Sequence, residues 1–145
     1  MKIYYCIYLS MASLLLAACC SGKGPRGVKE GKLGDCPRSP NCVSTVSTDP
    51  DHRMEPIPYR TSLKEARERV INIVNAMKRT RIITSEERYL HAEFRSALFR
   101  FVDDVEFYFD EKDKVIHFRS ASRLGYSDLG VNRKRMERIT RLFNE

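Results

Sequence analysis

The residues with the most chemistry in this chain lie towards its C-terminal end. From Arg119 to Arg135 serines, arginines and glycines lead into a helix. The free amides of a helix start favour negative charge. Ser120, Ser122, Arg123, Ser127, Asp128, Asn132 and Arg133 therefore form a candidate pocket for an anion or small polar ligand, with Asp103 orienting one side. The same residues can also satisfy one another. In that arrangement Asp103 and Asp128 accept from the arginines, Ser127 and Asn132 cap the helix, and Gly125 and Gly130 take turn conformations. Buried polar clusters are usually structural, so an opening to solvent is what would distinguish a pocket.

A second group is Cys36, Cys42 and His52. Two cysteines and a histidine could hold a metal, with Asp49 or Asp51 as a fourth ligand, but the spacing is not that of a close zinc pair. Cys42 and His52 could also act as thiol nucleophile and base, unless oxidation removes the thiol. In an oxidising compartment two nearby cysteines favour a disulfide, and Pro37 and Pro40 stiffen the loop that must close. Neither a G-x-S-x-G elbow nor an H-E-x-x-H helix occurs. Asp103 and Asp104 are adjacent on an expected strand, so they point to opposite faces and cannot share a substrate. No cofactor is expected.

Helices and strands must position these residues. Thr61-Ser62-Leu63-Lys64-Glu65 starts a helix, with Ser62 and Glu65 forming a capping box. Leu63, Ala66, Val70, Val74 and Met77 continue one apolar stripe to about Lys78. Ile82-Ile83, Tyr89 to Phe94, Phe99 to Phe109 and Val115 to Ala121 then read as strands. The polar stretch Glu111 to Lys114 joins the last two as a hairpin.

The register of that hairpin follows from its faces. Setting Phe109 opposite Ile116 puts Phe107 opposite Phe118 and Val105 opposite Ser120 on one side. Tyr108 then faces His117, and Glu106 faces Arg119 as an expected exposed ion pair. A slip by one residue spoils both faces. Asp103 and Ser122 thereby meet on the apolar face, where a carboxylate needs donors. A final helix from about Asn132 turns Met136, Ile139, Leu142 and Phe143 inward.

The N-terminal end concerns location. A basic start at Met1-Lys2, an apolar run and a small-residue ending have the layout of a signal peptide. The run from Ile3 to Ala18 falls short of the roughly 20 residues that a bilayer span needs. Leu16-Ala17-Ala18-Cys19 resembles the bacterial lipobox, whose cysteine becomes diacylated as the first mature residue. That resemblance implies a signal peptide over residues 1–18 and a lipid on Cys19. Cys20, where an inner-membrane retention aspartate often stands, points to the outer membrane by the same resemblance.

Residues 19–34 are poor in apolar side chains and are expected to form a flexible basic tether, with Lys23, Arg26, Lys29 and Lys32 near anionic headgroups. Residues 35–145 suffice for one domain with a modest core. The formal net charge of +7 suggests nucleic acid. Export, and basic residues mixed with acids on helix faces, exclude that partner.

Three blocks carry a family resemblance. They are Cys36-Pro37-Arg38-Ser39-Pro40-Asn41-Cys42-Val43-Ser44, Phe101 to Phe107, and Arg119 to Arg135. Together they resemble domain-of-unknown-function family 1499 from about Gly34 onward. The resemblance implies an exported or membrane-attached protein and no established activity.

The residues predict an α+β domain: an antiparallel sheet of three to five strands with two helices packed on one face. A segment around Glu55 to Tyr59 adds an edge strand. The expected role is non-catalytic. It is that of a lipid-anchored module of the cell envelope, facing the periplasm, that binds a small polar or anionic ligand or an envelope protein. A structural or assembly lipoprotein is the alternative, with an enzyme or metal protein using Cys36, Cys42 and His52 behind it.

Overall fold

The computed structural model describes residues 26–145. The expected signal segment, the lipidation site Cys19, Cys20 and the first part of the tether lie outside the described residues.

Residues Leu63–Ala76 form helix α1. Ser62 Oγ accepts from the Glu65 amide at 3.2 Å, and the Glu65 carboxylate accepts from the Ser62 amide at 2.9 Å. This is the capping box that the sequence encodes, and it satisfies amides the helix itself cannot. Ala66, Val70 and Val74 are the buried stripe. Helix α2 spans Val131–Asn144 and buries Asn132, Met136, Ile139 and Phe143.

Between the helices run β5 (Thr80–Ser85), β6 (Tyr89–Arg95), β7 (Val102–Asp110) and β8 (Val115–Ser122). Ahead of α1 come β3 (Cys42–Ser44) and β4 (Ile57–Pro58), both antiparallel to β8. The order is β3-β8-β7-β6-β5, with β4 also on β8, so the six strands exceed the expected three to five. The β7–β8 register is the expected one: Phe109 opposite Ile116, Phe107 opposite Phe118, Glu106 opposite Arg119 and Asp103 opposite Ser122.

One sheet face carries Leu90, Ala92, Phe94, Val105, Phe107, Phe109, Ile116 and Phe118 against both helices. Burying side chains of this size stabilises by roughly 1.5–3 kcal/mol each. Strand β7 begins at Val102 rather than Phe99, because Arg100 takes a left-handed φ of 53° that a strand cannot continue.

The opposite face is covered as well. Strands β1 (Val28–Lys29) and β2 (Lys32–Leu33) pair as a small hairpin. Glu30 and Gly31 form its two-residue turn, both with positive φ, as the twist of a tight hairpin requires. Leu33 is buried, and a Cβ on Gly31 would stand 3.6 Å from Tyr108 Oη. Residues 26–34 are therefore not tether but a cover for the outer sheet face. Under that cover the expected exposed pair of Glu106 and Arg119 is sealed, at 0% and 1% exposure.

Candidate functional site

The expected pocket residues fall on two sides of the sheet. On the helix side Asn132 is fully buried and central. Its Oδ1 accepts from Ser120 Oγ at 2.6 Å and from Arg135 Nη1 at 2.5 Å. Its Nδ2 has Ser122 Oγ, Asn41 O and Asp128 Oδ2 within 3.1 Å. Such an amide has no capacity left for a ligand. Arg135 Nη2 donates to Asp103 Oδ2 at 2.5 Å and the guanidinium stacks over Phe94, 4.8 Å from the ring centre. Asp103 thus finds its donor in Arg135, a residue the sequence reading left out of its candidates.

The helix start is closed by Asp128, not by Ser127 or Asn132. Asp128 accepts from the amides of Gly130 and Asn132 at 3.0 and 2.7 Å. Ser127 Oγ instead accepts from the Leu129 amide, within the loop. Gly125 and Gly130 take the expected positive φ, 87° and 77°. Arg133 donates to the carbonyls of Asp51 and Arg53, at the surface.

Arg123 belongs to the outer face. Its Nε and Nη2 donate to Asp104 at 2.8 and 2.7 Å, and Nη2 also donates to Glu93 at 2.6 Å. His91 Nε2 lies 2.7 Å from Asp104 Oδ1, and Arg26 approaches the same carboxylate at 3.3 Å. Burial pushes the Asp104 carboxyl up. The hydrogen bonds from Arg123 and His91, with the Arg123 and Arg26 charges, outweigh it and hold the group well below the usual carboxylate range. Burial opposes, and the Arg123 and Arg95 bonds win, for Glu93 also. The Asp104 bond in turn raises Arg123.

Next along the face, Glu106 accepts from the Gly27 amide and from Tyr89 Oη, both at 2.7 Å, and from Arg119 Nη1 at 3.1 Å. Burial first, then the bond to Glu106, pushes the Tyr89 hydroxyl far up. Arg119 Nε reaches the Asp35 carbonyl, while its Nη2 has no partner among the described residues.

Cys36 and Cys42 are joined as a disulfide, with Cα atoms 5.7 Å apart. The bond takes both thiols out of metal ligation and nucleophilic attack. His52 sits 3.4 Å from Asp49. The closed loop carries Asn41, whose amide donates to the Gly125 carbonyl at 2.6 Å, and so ties the N-terminal cysteines to the C-terminal cluster.

Open space lies on the solvent side of Arg135. Lys78, Arg79, Arg95, Lys134, Arg135 and Arg138 line a groove of about 760 Å³ with Met77, Phe94 and Val131, and no carboxylate borders it. Arg135 is engaged by Asp103 and Arg95 by Glu93, at 3.6 Å. Lys78, Lys134 and Arg138 make no ion pair among the described residues. A groove of similar size between the helices sets Glu65 and Glu68 against Arg69 and Arg138, so it has no single sign.

A small α+β domain closed by a disulfide, with ion pairs buried under one sheet face and a cationic groove at one end, is what fold and site define. The chain belongs to the DUF1499 family, described as a protein of unknown function, whose family model matches residues 32–143. No curated protein matches the chain.

Proposed function

We propose that this protein is a lipid-anchored envelope protein whose domain binds an anionic ligand in the groove between the end of α1, the end of β6 and α2. The supporting observation is the lining: six cationic side chains, no carboxylate, and three of the cations uncommitted. Opposite charge in a shaped recess concentrates anions. The buried Asp103, Ser120 and Asn132 position Arg135 in its wall rather than touching the ligand themselves. Anchoring is supported by the lipobox-like Leu16-Ala17-Ala18-Cys19.

A native mass spectrum of the full chain, released from detergent without reductant, tests both parts. Acylation at Cys19 adds the mass of the lipid, and a retained anion adds its own. Titration with inorganic phosphate as probe then gives a saturable response. Lys134→Glu with Arg138→Glu is expected to abolish retention and response with little change in Tm. A bare chain that ignores phosphate overturns the ligand reading and favours a structural or assembly role.

A further inference from the structure

The exposed large hydrophobic side chains of the described residues are concentrated at one end of the molecule. Leu98, Phe99 and Phe101 stand in the loop between β6 and β7, at 79%, 69% and 48% exposure. Leu124, Tyr126 and Leu129 stand in the loop between β8 and α2, at 50%, 77% and 86%. The Phe99 and Phe101 rings stack 5.5 Å apart in the open. These loops are neighbours: the Arg123 amide donates to the Val102 carbonyl at 3.0 Å, and Ser96, Ala97 and Val131 line the same cationic groove. Solvent-exposed apolar side chains gathered in this way mark a surface with a partner.

Charge identifies the partner. The first loop, from Ser96 to Phe101, contains Arg100 and no acid. In the second, Asp128 is consumed by the start of α2. Arg100 stands within the first loop and Arg95 and Lys134 line the groove beside both, so the end of the domain combines exposed apolar side chains with positive charge. A bilayer with anionic headgroups has the complementary layering, acyl chains below and phosphates above.

The chain's own geometry points the same way. Arg26, the first described residue, is held by Asp104, two residues into β7 from this end. Six residues lie between it and Cys19, and the seven steps of chain span at most about 25 Å. A lipid on Cys19 would therefore hold Arg26 within about 25 Å of the membrane, with the start of β7 close to it.

We infer that the two apolar loops dock the domain onto an anionic phospholipid bilayer, with lipid phosphates in the groove beside them. This rests on the proposed anchor for proximity, and the docking surface is separable from it. The chain contains no tryptophan, so one introduced indole reports alone. The full chain is reconstituted into vesicles of phosphatidylethanolamine and phosphatidylglycerol carrying Phe99→Trp, Leu129→Trp or, at the opposite end, Glu87→Trp. The first two reporters are expected to shift to the blue and to be quenched by brominated acyl chains several-fold more than the third. Arg100→Glu with Lys134→Glu should remove that difference. Equal, solvent-like emission from all three overturns the docking surface, and so does equal deep quenching. Intact mass of the same preparations separates the two readings. An acylated chain without the shift overturns docking alone, and an unacylated chain that still shifts on added vesicles upholds docking and overturns the anchor.

Discussion

Glu106 and Arg119 face each other across β7 and β8, Oε2 to Nη1 at 3.1 Å, and both are shut away from water. Two charges in such a place persist because the neighbours satisfy all their hydrogen-bonding groups but Arg119 Nη2. The Gly27 amide, the Tyr89 hydroxyl and the Asp35 carbonyl supply most of what solvent would. The pair is therefore less a fastener than a test of whether the N-terminal hairpin is in position.

Removing one partner should be worse than removing both. Glu106→Leu leaves the Arg119 charge buried without its counterpart, and about 3–5 kcal/mol of stability should be lost. Glu106→Leu combined with Arg119→Met should recover at least half of that. Urea unfolding of the two singles and the double measures the coupling.

Acid should weaken the fold through Asp104 and Glu93. Both carboxyls sit below their ordinary range in the folded chain, so the folded state binds fewer protons than the unfolded one. Their contribution is complete above the unfolded value of about 4 and is lost as pH falls below it. Melting temperatures in a descending pH series should drop for the native chain. They should drop less for Asp104→Asn, which starts lower and converges with it at the acid end.

The disulfide closes a short loop, with a sequence separation of 6. Chain entropy assigns such a link about 2 kcal/mol. Cys36→Ser with Cys42→Ser should lower stability by that order. Because Asn41 rides on this loop, hydrogen exchange at the Ser122 amide, which donates to the Asn41 carbonyl at 3.0 Å, should accelerate in the same variant.

Asn132→Leu replaces a buried amide with an isosteric apolar group among Ser120, Ser122, Asp128 and Arg135. Ser120 and Arg135 keep each other and Asp128 keeps two backbone amides, but Ser122 Oγ loses its partner, and an unsatisfied buried group costs about 1–3 kcal/mol. The variant should be destabilised by that order, with amide exchange rising first over the opening turn of α2.

Much of this was legible in the residues. Ser62 with Glu65 announced α1, and alternation through Val105, Phe107 and Phe109 fixed the pairing with Ser120, Phe118 and Ile116. The same alternation, carried one residue past Ser122, puts Arg123 on the outer face, away from Asp103. Arg135 lies three residues beyond Asn132, a helical neighbour on one face, so that signal too was present. The hairpin over Glu106 was not legible. Its composition is that of a tether, and it is held by backbone groups of Gly27 and Asp35 and by one apolar side chain, Leu33. The groove was hidden for another reason, since its cations come from three separated segments.

The hairpin also decides how the domain bears tension. Any pull from the N-terminal side of Arg26 enters at the Arg26–Asp104 pair and the Gly27–Glu106 bond, then at the two residue pairs of β1 and β2. With two residue pairs against the eight that join β7 to β8, these contacts should yield before the long strands feel strain. Stretching would thus peel the cover and admit water to Glu106 and Arg119 while the helix-side core stays whole, so that the hairpin acts as a mechanical fuse on the N-terminal side of the domain.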